Sequence, residues 1–295
     1  MKYTNKHNFP DFVVQWLEHD AYDHEENTLS ATTLMKPARA YALEKQNWEN
    51  LEIDLSDIIA SRYGTAIHDS VENVNLKGCK QEERLRKAVI NKIITGKFDI
   101  LKQTAQDLWE LIDVKSTSVW TYIYNSKEED YKKQLSIYRW LAIQNGYNVG
   151  IKAKIWMVFT DWSHSRSLNN DDYPDTRIAI KEVELWPAEQ TLQYIGKRIT
   201  ALDKAFHQEQ KDMPRCTDEE LWADEDTWAV MKDGRKSAVK IHTDHEEAKV
   251  QLKTLDEKHS IEFRPGKVKR CKYCTARKFC DQYKAMVDSG RCDEE

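Results

Sequence analysis

The chain has 295 residues, 40% hydrophobic and 32% charged, with 9 glycines and 6 prolines. That balance excludes collagen-like, low-complexity and largely disordered chains, and no run reaches the ~18 apolar residues of a membrane span. The formal net charge of −5 argues against a protein that merely coats nucleic acid, while leaving room for a local basic patch beside acidic metal ligands.

The elements follow from periodicity. Met1 to Lys6 has no apolar stretch behind it, so no secretory signal is expected, and the cytosol is the expected compartment. Phe9, Phe12, Val13, Trp16 and Leu17 fall on one face of an opening helix. Ser30 to Leu34 reads as a capped helix start. Ile58, Ile59, Tyr63, Ile67, His68 and Val71 predict a second helix, and Glu82 to Ile94 a third. Gly96 to Leu101 and Leu108 to Lys115 are short, apolar and β-like, with a polar turn over Gln103 to Asp107, so a hairpin is expected. Tyr131 to Ala142 returns to helical spacing. Lys152 to Asp161 and Ile178 to Leu185 read as strands, and Pro187 to Phe206 as a long helix. Helices around a small central sheet predict an α/β or α+β architecture.

Further on, two short strands flank Asp233-Gly234, a hairpin turn signal. A helix over Asp244 to Leu255 and a short strand over Ser260 to Phe263 follow. The expected divisions are an N-terminal helical segment (1–27), a core (28–210) and a cysteine module (211–295) carrying a ββα insertion at about 224–263.

An ordered set of polar residues stands out: His68, Asp99, Asp113-x-Lys115, then Gln134 and Tyr138. Residues two apart on a strand share a face, so Asp113 and Lys115 project together, and Asp99 joins them if the two β segments pair. Two carboxylates suit Mg²⁺ or Mn²⁺, hard cations that prefer oxygen. A lysine beside them suits phosphodiester hydrolysis, where it can orient a water or stabilise developing charge. His68 offers a nitrogen ligand from its helix, with Glu72 one turn further on the same face.

By these residues the chain resembles the PD-(D/E)XK nuclease superfamily in its RecB-like branch, over about residues 28 to 205. The resemblance implies a restriction-endonuclease-like α/β core, a small mixed central sheet flanked by helices. It implies metal binding by His68, Asp99, Asp113 and the Val114 carbonyl, catalysis by Lys115, and support of the site or of DNA by Gln134 and Tyr138. Asp113 stands where glutamate is commoner.

Cys271-x2-Cys274-x5-Cys280 provides three soft ligands within ten residues. Such a set binds Zn²⁺ or an iron–sulfur cluster and needs a fourth ligand. The spacing resembles that of the iron–sulfur members of the RecB-like nucleases, including AddB-type and CRISPR-associated ones, which implies a [4Fe–4S] cluster that staples the C-terminal module. In those families the distant cysteine precedes the catalytic histidine, and no cysteine precedes His68 here. Cys216 is the first candidate for that place and Cys79 the second, while Cys292 reads as a free thiol. The strings around Ser30 to Pro37, Asp113 to Trp120, Cys216 to Trp222 and Trp228 to Lys236 are similar to phage-encoded RecB-like nucleases.

These resemblances imply a metal-dependent deoxyribonuclease, first an exonuclease on linear or single-stranded DNA in phage recombination, replication or repair, working in the bacterial host cytosol. The alternatives are a structure-specific endonuclease and a non-catalytic DNA-binding or assembly subunit. A recombination or replication protein and a second copy of the chain stay open as partners, and no membrane partner is expected. Arg264, Lys267, Lys269, Arg270, Lys272, Arg277 and Lys278 form the densest basic stretch and are candidates for phosphate contact, with Arg235 and Lys236 as a second contact. Trp120 and Tyr122 are candidates for stacking on bases. Cys274→Ser is expected to give unstable, colourless protein, checked by absorbance and metal analysis; stable, fully active, metal-free protein would remove the cluster reading.

Overall fold

The computed structural model describes residues 1–19, 25 and 27–294, so part of the expected N-terminal segment lies outside the described residues. The chain divides into two compact units. One comprises Met1–Lys36 and Glu52–Lys204, the other Pro37–Leu51 and Ala205–Glu295. Sequence reading runs a core without a break from 28 to 210, whereas the contacts place 37–51 with the C-terminal residues. Among the described residues no helix is long and apolar enough to cross a membrane.

The first unit opens with strand β1 (Lys2–Thr4) and helix α1 (Asp11–Glu18). Leu17 of α1 is buried, while Phe12 and Trp16 are exposed. Strand β2 (Thr28–Ser30) leads into α2 (Ala31–Leu34), where the Ser30 side chain accepts the Thr33 N–H as expected of an N-cap. Helix α3 (Ala38–Gln46) belongs to the second unit. Strand β3 (Glu52–Asp54) pairs in parallel with β1 and feeds α4 (Leu55–Glu72), the helix that carries His68.

The segment 82–94 is not the expected helix. After β4 (Cys79–Gln81), strands β5 (Arg84–Val89) and β6 (Lys92–Lys97) form an antiparallel hairpin. The turn between them holds Ile90 at φ +56°. Leu85, Val89 and Ile93 carry the i, i+4 spacing of a helix, yet along β5 only Leu85 is buried. Tertiary pairing decides the outcome: β6 also takes β2 as a parallel neighbour, completing a three-stranded sheet β2–β6–β5.

Strands β7 (Ile100–Ala105) and β8 (Leu108–Thr117) form the expected hairpin, turning at Asp107 with φ +60°. Helices α5 (Val119–Ile123) and α6 (Glu128–Gln144) then lead to β9 (Val149–Phe159), which runs parallel to β8. A short helix α7 (His164–Ser167) precedes β10 (Ile178–Glu184), and α8 (Ala188–Phe206) follows. The central sheet has the order β10–β9–β8–β7–β4 and is mixed, antiparallel except at β8–β9. Helix α6 packs on strands of both sheets. It buries Tyr131, Leu135, Ile137, Trp140 and Leu141 against them, which accounts for the helical apolar spacing.

In the second unit, α9 (Asp218–Leu221) starts at a capping box formed by Thr217 and Glu220. Strands β11 (Thr227–Lys232), β12 (Lys240–His242) and β13 (His259–Arg264) form an antiparallel sheet of order β12–β11–β13, joined by α10 (His245–Leu252). Gly234 sits in the expected turn at φ +78°, though β12 resumes only at Lys240. Helix α11 (Asp281–Asp288) closes the unit.

Asp54 holds the start of the His68 helix. Its carboxylate accepts hydrogen bonds from the Ser56 N–H (3.1 Å), Ser56 Oγ (2.7 Å), Thr4 Oγ1 (2.8 Å) and the Lys6 N–H (3.0 Å). Burial pushes its pKa up, but those hydrogen bonds dominate and hold it well below the usual carboxylate range. A depressed folded-state pKa contributes stability that is complete above the unfolded value and is lost as pH falls through the folded one. Asp54→Asn is therefore expected to cost about 2 kcal/mol at pH 7. The deficit should shrink as urea unfolding is repeated below about pH 4.

Candidate active site

Strand β8 presents Asp113 and Lys115 on one face, two residues apart. Asp113 is 1% exposed, and Lys115 Nζ lies 2.8 Å from its Oδ2. Beyond this ion pair neither carboxylate oxygen has a hydrogen-bond partner. Burial pushes the Asp113 pKa up, with Lys115 opposing and Asp99 adding to the rise. Burial alone would lower Lys115, but the carboxylates of Asp113 and Asp99 outweigh it and drive its pKa up, so the ammonium is strongly held.

Asp99 lies in the bend between β6 and β7 rather than within a strand. Its Oδ2 accepts the Val114 N–H at 2.6 Å, which locks this carboxylate to the neighbouring residues of β8. From α4, His68 Nδ1 lies 3.3 Å from Asp99 Oδ1. The Asp99 and Glu82 carboxylates raise His68 to about 10.

Glu82 is the residue that sequence reading missed. Its carboxylate is 3.7 Å from His68 Nδ1 and 2.5 Å from Lys97 Nζ, and its side chain is buried. Its backbone adopts φ +52°, and its N–H donates to the Asp99 carbonyl at 3.0 Å. Ligand atoms of His68, Glu82 and Asp99 all lie within 4.8 Å of one another, so these three can share a metal ion. Reading 82–94 as a helix hid Glu82; a hairpin start there is the signal that would have exposed it. Glu72, expected on the His68 face, pairs with Lys97 at 3.7 Å.

Gln134 and Tyr138 stand one turn apart on α6, with Gln134 Nε2 donating to the Tyr138 hydroxyl at 2.9 Å. Burial pushes the Tyr138 pKa up, while the Lys115 ammonium acts to lower it and the Asp113 carboxylate to raise it. The hydroxyl therefore feels the same ion pair. Tyr131 lies under Lys115, with Nζ 5.9 Å from its ring centroid. The sequence-predicted residues His68, Asp99, Asp113, Val114, Lys115, Gln134 and Tyr138 thus fall in one neighbourhood of the first unit.

In the second unit the cysteines converge. The segment from Cys271 to Cys280 winds through two short 3-10 turns, Arg270–Tyr273 and Arg277–Phe279. Gln282 clamps the backbone of Cys216 from α11, accepting its N–H and donating to its carbonyl, both at 2.8 Å. Burial pushes Cys216 up to about 12, with Glu220 and the sulfurs of Cys280, Cys274 and Cys271 adding to the rise. Burial likewise pushes Cys271 up to about 12, reinforced by Cys292, Cys274 and Cys280. Cys216 and Cys271 thus stay protonated thiols that lie within electrostatic reach of the other sulfurs, and soft donors of this kind are those that Zn²⁺ or an iron–sulfur cluster takes. Cys79 instead lies on β4 of the first unit. Cys292, read as a free thiol near a charged terminus, is buried beside Leu221, Val268 and Cys271.

Arg39 of α3 is 2% exposed and completes this centre. Its Nε–H donates to Cys280 Sγ at 3.4 Å, and its Nη groups donate to the carbonyls of Gln210 and Met213 and to Asp281. Most of the basic stretch is internally neutralised. Arg264 pairs with Glu262, Lys267 and Lys272 with Asp293, and Lys269 with Asp224. Arg270 lies over the Trp222 ring, and Arg277 donates to the Lys272 carbonyl.

A sequence profile of the PD-(D/E)XK nuclease superfamily matches residues 42–281. No curated protein matches the chain. Among solved structures, that of SSO0001 is 21% identical over 64% of this chain and 83% of its own, with a TM-score of 0.44. A phage-related exonuclease from Haemophilus somnus 129PT is 19% identical over 49% of this chain and 69% of its own, with a TM-score of 0.32.

The site depends on one close approach. A Cβ added to Gly96 of β6 would sit 2.8 Å from Leu141 Cδ1 and from Cδ1 and Cε1 of Tyr138. Gly96→Ala is expected to push Tyr138 away from Lys115 and to cost about 2 kcal/mol by overpacking. Urea unfolding and metal-dependent activity, measured on the same preparation, check both effects.

Proposed function

The chain belongs to the PD-(D/E)XK nuclease superfamily, and from that premise we propose that it is a Mg²⁺- or Mn²⁺-dependent exodeoxyribonuclease acting on linear or single-stranded DNA. The observation that carries the reading is the buried Asp113 carboxylate, partnered by Lys115 alone, beside the mutually close His68, Glu82 and Asp99. His68, Asp99, Asp113 and the Val114 carbonyl would hold the ion, with Glu82 as a further oxygen donor. A divalent ion supplies polarisation of the phosphate and a water of lowered pKa.

The remaining work falls to this chain's own side chains. Lys115, kept protonated by Asp113 and Asp99, brings a positive charge to the phosphate as its negative charge grows. Asp99 keeps its place through the Val114 N–H, and Lys97 balances the Glu82 carboxylate. The Gln134–Tyr138 pair fixes a hydroxyl beside Lys115 and limits its motion. In the second unit, Cys216, Cys271, Cys274 and Cys280 are proposed to hold a [4Fe–4S] cluster, with Zn²⁺ as the alternative. The support is the convergence of four soft donors and the resemblance of their spacing; the cluster would staple the segment around Cys216 to the C-terminal turns. A role in phage recombination, replication or repair rests on the resemblance of the sequence strings.

End-labelled linear single- and double-stranded DNA and closed circles, incubated with Mg²⁺ or Mn²⁺, test the reading. Linear substrates should be degraded and circles spared, and Lys115→Ala should slow cleavage by about 10²–10³-fold. Cutting of circles would move the assignment to an endonuclease. No cleavage by folded, metal-replete protein would move it to a non-catalytic DNA-binding subunit.

A further inference from the structure

Strands β8 and β9 are parallel, so both end on the same edge of the central sheet, with Thr117 opposite Phe159. The residues just past these ends carry aromatic rings and arginines that the catalytic reading does not use. Trp120 stacks on Tyr124 with centroids 5.9 Å apart and planes 17° from parallel. The Arg166 guanidinium lies over the Trp120 ring at 5.6 Å, and that of Arg177 over the Trp162 ring at 5.7 Å. Tyr124 is 70% exposed and Trp120 is 37% exposed. Tyr122, the sequence candidate for stacking, packs on buried Phe159 instead.

This surface is built rather than loose. Asp161 pins the start of α5, accepting from Ser118 Oγ at 2.6 Å and the Val119 N–H at 2.8 Å. Buried Tyr173 meets Trp120 edge-on at 6.1 Å, and its hydroxyl accepts the Ser163 N–H. Trp162 Nε1 donates to the Pro174 carbonyl at 2.9 Å. Trp120 lies five residues beyond Lys115, which bounds their separation along the chain to about 18 Å.

The Tyr124 ring, exposed and laid flat on Trp120 beside guanidinium groups, matches unpaired bases on a phosphate backbone, because every base has a face to stack and every linkage a negative charge. A duplex end hides those faces. We propose that Tyr124, backed by Trp120 and flanked by Arg166 and Arg177, binds the unpaired bases of a single-stranded DNA segment next to the scissile phosphate. The inference rests on the DNA-cleavage reading above and adds to it a strand preference and the residues that set it.

Binding by the inactive Lys115→Ala protein, followed by fluorescence anisotropy, tests this. The probes are a labelled single-stranded 15-mer, the same backbone with abasic sites throughout, and a blunt duplex. The single strand should bind more tightly than the abasic strand, and Tyr124→Ala and Trp120→Ala should each weaken it about tenfold while leaving the abasic strand unchanged. Trp120 packs on Tyr173, so Tyr124→Ala is the variant whose fold is safe. Equal affinity for the intact and abasic strands, or equal losses on all three probes, would overturn the proposal. Wild-type cleavage of the same 15-mer separates the two levels. Cleavage without base-dependent binding removes this surface alone, whereas neither cleavage nor binding removes the nuclease reading and this surface with it.

Discussion

Asp113 lies on the central strand with its carboxylate against Lys115 Nζ and almost no contact with solvent. Burying a charge in this way costs several kcal/mol unless a partner and further hydrogen bonds offset it. Lys115 supplies the partner, and the further hydrogen bonds are missing. The rest of the site is arranged around that deficit. Asp99 is fastened to the Val114 N–H, His68 reaches Asp99 from α4, and Glu82 reaches His68 from a strained turn. Three acidic groups and a raised lysine brought together without full compensation are unfavourable for the fold and useful for binding a cation.

The surroundings are specialised to hold that arrangement. Asp54 caps the helix that delivers His68 and ties it to the N-terminal strand. Gly96 lets α6 approach β6 closely enough for Tyr138 to stand by Lys115. This gives a steric reason for a glycine three residues before Asp99. The mixed sheet matters as well: the single parallel pairing, β8 with β9, puts the ends of both strands on one edge, where the aromatic and arginine side chains gather.

The second unit solves a different problem. Its strands and helices are short. The Gln282 clamp on Cys216 and the hydrogen bonds of the enclosed Arg39 to Gln210, Met213 and Cys280 tie together segments distant in sequence. Four of the basic residues near the cysteines, Arg264, Lys267, Lys269 and Lys272, pair with Glu262, Asp224 and Asp293.

Much of this was legible in the residues. Helical apolar spacing located α4, α6 and α8, the i, i+2 rule put Asp113 and Lys115 on one face, and the order of His68, Asp99, Gln134 and Tyr138 pointed to one kind of chemistry. These are local patterns, set by the geometry of a single helix or strand, and a sequence carries them directly. Glu82 was hidden because strand pairing with β6, not local propensity, makes 84–89 a strand. Arg39 was hidden because its partners Cys280 and Asp281 lie more than 240 residues away. Whether Lys272 is free or paired depended on Asp293, and whether Tyr122 or Tyr124 faces solvent depended on Phe159. The sequence by itself determined which side chains are available and on which face of each element they stand. Only the tertiary structure decided which of them meet, because burial and charge pairing are properties of contacts between residues far apart along the chain.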